Sequence, residues 1–503
     1  MAGPLVVVGD VLLDRDVDGQ ANRLSPDAPV PVIENATDSL RPGGAGLAAL
    51  LAASQASEVV LVAPFGDDPA SETVRGLLSG LVTVVSWPLC GSMQEKTRVR
   101  ARGHTLLRVD HGGGVPGPAG QQAVEAIMAA GALLASDYGL GTTADSVIRN
   151  ALSRRASRVP LVWDPHPRGA APVRDTRIAT PNHMEAVAAA GLGTPDGGRA
   201  PCSHHADGPR APGGHGAVFL AAIAAGEHLL KEWPAESVAV TLGSNGALLA
   251  RHGQTPLVIP ATPLDASDPC GAGDQFAAIT AIALHEGALV SEAVTAGVAV
   301  ATRFLATGGV NSQHLARPGE SRQRETRYAP EALTRESRPG TGGQRIPHHD
   351  THQAAENVQV RGGTVVATGG CFDVLHAGHV SMLRAARSLG DWLVVCLNSD
   401  ASVRRLKGPG RPLNPAADRA TILAALDCVD QVEIFDEDTP ERLLGQLRPS
   451  IWVKGGDYEG RELPEGAVLC RWNGRVVTVP YLSGRSTSRL ASAAGGRETA
   501  RQR

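Results

Sequence analysis

The sequence predicts an α/β protein of two to four domains built on largely parallel sheets. Three observations carry this. The chain has 503 residues, more than one ordinary domain holds. Short Val/Leu/Ile-rich runs that end in Gly or Asp and pass into helical patterns recur along it, at Leu5–Val8, Val59–Val62, Leu161–Trp163, Ser237–Thr241, Thr364–Thr368 and Trp392–Asn398. Strands alternating with helices imply parallel sheets, whose ligand sites lie at the carboxyl ends of the strands. Finally, 42% hydrophobic residues with only 3% aromatics suit close helix-on-sheet layers better than an aromatic-rich sandwich.

Composition also narrows the function. A formal net charge of -4 argues against a general nucleic-acid binder, which carries a basic field. No run approaches the ~18 apolar residues of a membrane span. No cationic leader precedes Leu5–Val8, so a cytoplasmic protein is expected. The cysteines, Cys90, Cys202, Cys270, Cys371, Cys396, Cys428 and Cys470, are scattered without a CxxC pair. That pattern predicts reduced, mostly buried thiols, with no disulfide framework or zinc ribbon.

Two stretches break the alternation. Residues 191–216 are rich in Gly, Pro and His and read as a surface insertion. Residues 312–358 are polar and lack apolar spacing, which predicts a flexible linker. Their histidines (His204 and His205; His348, His349 and His352) are candidate metal ligands, but without a folded frame a solvated linker is the better reading. The expected division is therefore 1–311, a linker at 312–358, a second domain at 359–490 and a frayed tail at 491–503.

In the second domain, TVVATGGCFDVLHAGHVSMLRAARSLGDWLVVCLNSD reads as strand, glycine turn, helix and strand. His376 and His379 fall where the strand hands over to a helix expected from about Val380 to Leu389. Such a helix N-terminus favours anions, Gly369, Gly370 and Gly378 let phosphate approach the backbone, and imidazoles can donate to phosphate oxygens. GCFDVLHAGHVSML, LGDWLVVCLNSDASVRRLKGPGRPLNP, DEDTPERLLGQLRPSIWVKGGDY and GRSTSRL follow in order over residues 364–490. This segment resembles the HxGH nucleotidyltransferase superfamily, most closely the adenylyltransferase half of the bifunctional heptose kinase/adenylyltransferases of ADP-heptose biosynthesis. The resemblance implies a Rossmann-like domain in which His376 and His379 bracket a nucleoside triphosphate. It assigns Lys407 and Lys454 to phosphate charge, Ser486 and Thr487 to phosphate hydrogen bonds, and Gly370, Phe372, Asp373, Asn398 and Asp400 to the nucleotide surround. Read from the residues alone, Lys407 also suits a solvated loop and Asp373 also suits a turn cap. A sugar 1-phosphate oxygen would attack the α-phosphorus in line without a general base, and magnesium would ride on the triphosphate.

In the first domain, Ser267-Asp268-Pro269-Cys270-Gly271-Ala272-Gly273-Asp274 leads into a helical run from Gln275 to His285. Small residues entering a helix expose successive N–H groups as an anion hole, and a carboxylate there can accept a hydroxyl proton. Upstream lie the strand-end loop Thr241-Leu242-Gly243-Ser244-Asn245-Gly246, the segment Pro181-Asn182-His183-Met184-Glu185 and the pair Gly43-Gly44. With VVVGDVLLDRDVDGQANRLSPDAPVPVIE, EKTRVRARGHTLLRVD and SDYGLG, residues 4–311 resemble the ribokinase-like (PfkB-type) sugar kinases, again closest to the heptose kinase half of the same bifunctional enzymes. The resemblance implies an α/β kinase domain with Asp274 as catalytic base and the amides of Gly271, Ala272 and Gly273 as anion hole. Asn182, Glu185, Thr241, Gly243 and Gly246 would serve ATP, with Glu185 the candidate protein ligand to Mg2+. Asp14, Gly43 and Gly44 would hold the sugar, and a small β lid from Asp16 to Leu40 would double as a homodimer contact. Two residues depart from the family pattern: Leu47 replaces the Asn of GGAxN, and Leu140 replaces the basic residue of SDYxKG.

Three readings stand at this point. In the first, the chain phosphorylates heptose 7-phosphate at C1 and, after a separate phosphatase acts, adenylylates heptose 1-phosphate to ADP-heptose for a glycosyltransferase. In the second, only the transferase works, on another sugar or polyol phosphate or with CTP. In the third, the chain is a nucleotide-sensing scaffold, which has no need of His376, His379 and Asp274 together.

Overall fold

A computed structural model of the chain describes residues 3–101, 104–192, 215–264, 268–311, 351–456 and 463–480. They divide into two compact units. In the first, parallel strands run side by side in the order Thr83–Cys90, Val59–Phe65, Leu5–Gly9, Ala132–Ser136, Leu161–Asp164, Ile178–Ala179 and Ser237–Thr241. Antiparallel strands Ala247–Arg251 and Leu257–Ile259 extend the far edge.

The Val/Leu runs show no polar alternation because both sheet faces are covered. Leu5 and Val7 enter the layer that holds Ala45, Ala49 and Phe276, while Val6 and Val8 enter the opposite layer with Ile127, Ile148 and Trp163. Each such buried side chain contributes roughly 1.5–3 kcal/mol. The helix Ala272–His285 is buried on nearly every side, which is why its sequence is small and apolar all round. It starts before the expected Gln275, so the predicted anion-hole residues form its own first turn.

A separate sheet of four strands runs Pro31–Gly44, Val11–Leu24, Glu95–Ala101, His104–His111. The lid expected over Asp16–Leu40 is therefore longer at both ends and gains a second pair of strands. Its inner face is ionic, with Asp14 and Asp16 against Arg41 and Arg98, so hydrophobic periodicity gave no signal for it.

The second unit is a parallel sheet in the order Gln431–Phe435, Trp392–Asn398, Val365–Gly370, Ile451–Gly455, Arg475–Val479. Connections leave the central strand Val365–Gly370 toward both sides, so its carboxyl end is a topological switch point. The helix expected from Val380 begins earlier, spanning Ala377–Ser388 with His376 as N-cap. The helix Thr351–Val360 corrects the linker boundary at 358. Thr351 Oγ1 donates to Glu433 at 2.6 Å and Ala355 joins the core, so order begins before 359. His352 lies on this helix. His204, His205, His348 and His349, with most of the predicted insertion and linker and the tail, lie outside the described residues.

The thiol expectation holds only in part. No described cysteine is in a disulfide, but among them only Cys396 is buried, while Cys90 and Cys470 are exposed. Burial pushes the Cys396 thiol well up. Among the described residues no helix is long and apolar enough to cross a membrane.

Candidate active sites

In the first unit the predicted residues collect at the carboxyl ends of the parallel strands. Asp274 sits in the first turn of Ala272–His285, and Tyr138 Oη donates to its Oδ1 at 2.8 Å. Burial pushes the Asp274 carboxyl up to about 7 against the Tyr138 hydrogen bond; nearby Asp14 adds to the rise and Lys96 opposes it. A carboxylate poised near neutrality is suited to accept a proton from an alcohol. Of the three predicted anion-hole amides, that of Ala272 already donates to Pro269 O at 3.2 Å. Gly271 is the helix N-cap and Gly273 lies in the first turn, where the positive end of the helix dipole falls.

Asp164 ends the strand Leu161–Asp164 and accepts from Thr180 Oγ1 at 2.9 Å. Burial drives its carboxyl far above the usual range, and Asp274 and Glu185 push it further. Asn182 and Glu185 form a reciprocal capping box on the short helix His183–Ala189, with Glu185 N to Asn182 Oδ1 at 3.0 Å and Asn182 N to Glu185 Oε2 at 2.8 Å. Burial also raises Glu185, to about 7, against those hydrogen bonds. Thr241 N donates to Pro181 O at 2.9 Å, which brings the turn holding Gly243 and Gly246 beside Asn182.

Asp14 accepts from Arg98 Nη1 at 2.7 Å and lies 3.9 Å from Arg41 Nε. A Cβ on Gly43 would stand 2.7 Å from Asp14 Oδ2, and one on Gly44, at φ 60°, only 2.3 Å from Asp10 O. The glycine pair thus lets the helix Ala45–Ala53 start against the strand ends. Leu47 is 2% exposed and packs with Leu51, Val310 and Phe304 beneath the Gly271 turn, an apolar setting that suits leucine. Leu140 lines a recess with Val11, Pro64, Leu89 and Pro116. Its loop is shaped by the buried Asp10, whose carboxylate accepts from the amides of Tyr138, Leu140 and Thr142 at 3.0, 2.9 and 3.0 Å. Sequence reasoning missed Asp10, Tyr138 and Asp164; their position at or just past strand ends was the available signal.

In the second unit His376 and His379 stack with ring centroids 3.9 Å apart. Burial holds His379 down to about 4, with His376 and Lys407 adding to the fall, so both the histidine pair and Lys407 share one electrostatic neighbourhood. Among the described residues His379 Nδ1 is buried without a hydrogen-bond partner. Phe372 walls this ring at 5.2 Å and takes φ 43°, a strained value for a bulky residue. Gly370 ends the central strand directly before this turn.

The other predicted nucleotide residues have partners within the protein. Asp373 is buried, accepting from Arg411 Nη1 at 2.7 Å and from the amides of Leu413 and Asn414 at 2.6 and 3.3 Å. Burial would raise its carboxyl, but these donors outweigh it and hold the group low. Its clearest role is to pin the 411–414 loop. Asn398 Nδ2 donates to Ser402 Oγ at 3.0 Å. Asp400 pairs with Arg419 at 2.7 Å, and Lys454 pairs with the buried Glu465 at 2.8 Å. Arg419, itself 1% exposed, also donates to the carbonyls of Asn414, Cys371 and Asn398 at 3.0, 2.6 and 2.9 Å. It ties the histidine turn to two neighbouring segments, and sequence reasoning missed it. Ser486 and Thr487 lie outside the described residues.

The profile of the pfkB family carbohydrate kinases matches residues 152–315, and that of the cytidylyltransferase-like proteins matches residues 367–480. With the fold, this makes the chain a two-domain α/β transferase that joins a ribokinase-like carbohydrate kinase to a nucleotidyltransferase. The bifunctional protein HldE of Streptomyces coelicolor is 50% identical across 98% of this chain and 97% of its own length. Those of Hahella chejuensis (34%, covering 97% and 95%) and Aeromonas hydrophila (35%, covering 96% and 95%) are also similar over nearly their full lengths. The chain belongs to this family of bifunctional HldE proteins.

Proposed function

We propose that the first unit phosphorylates heptose 7-phosphate at its anomeric hydroxyl with ATP, and that the second adenylylates heptose 1-phosphate to ADP-heptose. The observation that carries this is the pairing, in one chain, of a proton-accepting carboxylate pushed up to about 7 and a stacked imidazole pair with His379 held down to about 4. The sugar follows from family membership.

In the kinase, Asp274 accepts the C1 hydroxyl proton, the oxygen attacks the γ-phosphorus, and ADP leaves. The first turn of Ala272–His285 stabilises charge on the transferring group. In the transferase, an oxygen of the sugar 1-phosphate attacks the α-phosphorus and pyrophosphate leaves. That nucleophile is already anionic, so no base is needed, and the site holds histidines where the kinase holds carboxylates. His376 and His379, the latter held neutral by its lowered pKa, can donate to phosphate oxygens, with Lys407 supplying positive charge nearby.

Magnesium fits both sites as an ion carried by ATP. Asp164, whose carboxyl Glu185 pushes further up, and Glu185 itself would be the hard oxygen donors for it in the kinase, where it would neutralise phosphate charge. Among the described residues no group of three or more His, Cys, Asp or Glu could hold a metal. We further assign the protein to the cytoplasm, with no nucleic-acid partner. A homodimer through the kinase lid is supported by the exposed Leu24, Leu40, Leu106, Leu107 and Val109 on its strands.

The test is pyrophosphate release from heptose 1-phosphate with ATP, CTP, GTP or UTP, alongside ADP release from heptose 7-phosphate. Release with ATP alone and ADP formation are expected. Pyrophosphate without ADP formation would leave a single working transferase with a degenerate kinase.

A further inference from the structure

On the lid strand Glu95–Ala101, Lys96, Arg98 and Arg100 alternate and so point to one face. Two of these cations are neutralised. Arg98 pairs with Asp14 at 2.7 Å and lies 3.9 Å from Asp16, while Arg100 pairs with Asp268 at 2.7 Å. Among the described residues Lys96 is in no ion pair.

The carboxylates opposite it are already committed. Asp14, its register partner on one side, is held by Arg98. Asp110, its partner on the other, accepts from Arg108 Nε and Nη2 at 2.7 and 2.6 Å. The Lys96 ammonium instead stands 5.4 Å from the centre of the Tyr138 ring, whose hydroxyl holds Asp274. It is partly buried, and burial keeps it below its ordinary pKa although Asp14 works the other way.

Asp14, Asp110 and Asp274 lie within electrostatic reach of Lys96, but none of them forms an ion pair with it. A partly desolvated cation without a direct partner is costly, and a fold that retains one beside a reaction centre leaves it able to take a ligand's anion. The loop 136–141, Ser-Asp-Tyr-Gly-Leu-Gly, supplies no cation of its own.

We infer that Lys96 is the phosphate-binding cation of the kinase site, taking a phosphate monoester of a substrate beside Tyr138 and Asp274. The inference rests on the sugar-phosphate kinase reading above. Two substrate groups share that chemistry, the acceptor's own phosphate and the γ-phosphoryl group of ATP.

The experiment uses the full chain and its Lys96→Gln and Lys96→Arg variants. ADP formation is followed with heptose 7-phosphate and with unphosphorylated heptose, and pyrophosphate release from heptose 1-phosphate reports that the protein is folded. Lys96→Gln is expected to lose about 10- to 100-fold in kinase kcat/KM, the worth of one charge-assisted contact, with pyrophosphate release unchanged. Lys96→Arg should recover part of the loss. A loss confined to the phosphorylated acceptor and seen mainly in KM assigns the contact to the acceptor's phosphate. An equal loss with both acceptors, seen in kcat, assigns it to the γ-phosphoryl group. Lys96→Gln within twofold of wild type with both acceptors overturns the inference. If wild type forms no ADP with either, the kinase reading fails on its own. Calorimetric titration with heptose 7-phosphate and with ATP then decides about Lys96: at least tenfold weaker binding of either by Lys96→Gln supports it, and equal binding of both overturns it.

Discussion

The two proposed reaction centres of this chain use burial in opposite directions. In the kinase unit, burial raises Asp274, the proposed base, to about 7. In the transferase unit, burial lowers His379, the proposed donor to phosphate, to about 4. The chemistry explains the difference. An alcohol must lose a proton to attack phosphorus, whereas a phosphate oxygen attacks as it stands. Desolvation disfavours whichever form is charged, so one physical effect tunes an acid upward and a base downward.

The largest test of this contrast is a crossed pair of variants. Asp274→Asn should lower kinase turnover by roughly 10²–10⁴-fold, the usual contribution of a general base, and leave pyrophosphate release intact. His379→Ala should cost about 10²–10³-fold in pyrophosphate release and leave ADP formation intact. If either change abolished both activities in a folded protein, the picture of two separate centres would be wrong.

Next in size is Arg419→Met. It removes the donors that join Asn414, Cys371, Asn398 and Asp400, and should destabilise the transferase unit by about 3–5 kcal/mol in chemical denaturation. An unchanged midpoint for that unit would show that the histidine turn holds its shape without Arg419.

pH should separate the centres further. Kinase kcat/KM should climb with pH and level off above about 7, as Asp274 loses its proton. Because folding raises this pKa from an ordinary 3.8, the group's favourable contribution is complete below about pH 4 and is lost as pH rises through 7. Asp274→Asn should therefore be more stable than wild type at pH 8, by up to about 4 kcal/mol for a rise of about three units. His379 has the opposite sign: its contribution is complete above its ordinary 6.5 and is lost as pH falls toward about 4. Nucleotide binding near pH 6 should then take up a proton, readable by calorimetry in buffers of different ionisation enthalpy.

The smallest expected effect is that of Leu47→Asn. An amide placed among Leu51, Val310 and Phe304 should cost about 1–3 kcal/mol of stability with no gain in sugar affinity. A lower KM for the sugar would show that position 47 reaches the acceptor after all.

How much of this was legible in the sequence follows from distance along the chain. The histidine turn and the glycine entry to Asp274 are local, since the residues and the helix that positions them are neighbours in sequence. The strand runs were equally plain, because burial on both faces leaves an unbroken apolar signature. Tyr138 acts on Asp274 across 136 positions, and Lys96 matters only because Arg98 and Arg100 have found carboxylates and it has not. Three alternating cations read in isolation are a solvated strand face. Asp373, Asp400 and Lys454 show the converse: a charge beside a glycine- or proline-rich loop resembles a ligand contact equally whether its partner is a nucleotide or Arg411, Arg419 or Glu465.

The lid hairpin sorts its ion pairs by face and by distance from the root. Near the root, Arg41–Asp16 and the Arg98–Asp14 pair to the neighbouring strand are buried, while Arg15–Asp38, on the opposite face at the same level, and Arg23–Glu34, further out, are exposed. At physiological ionic strength the Debye length is about 8 Å, and dissolved salt weakens exposed pairs far more than buried ones. Rising salt should soften the outer hairpin while leaving its base stiff. Ionic strength would then set how freely the tip moves while the charges at the root stay paired.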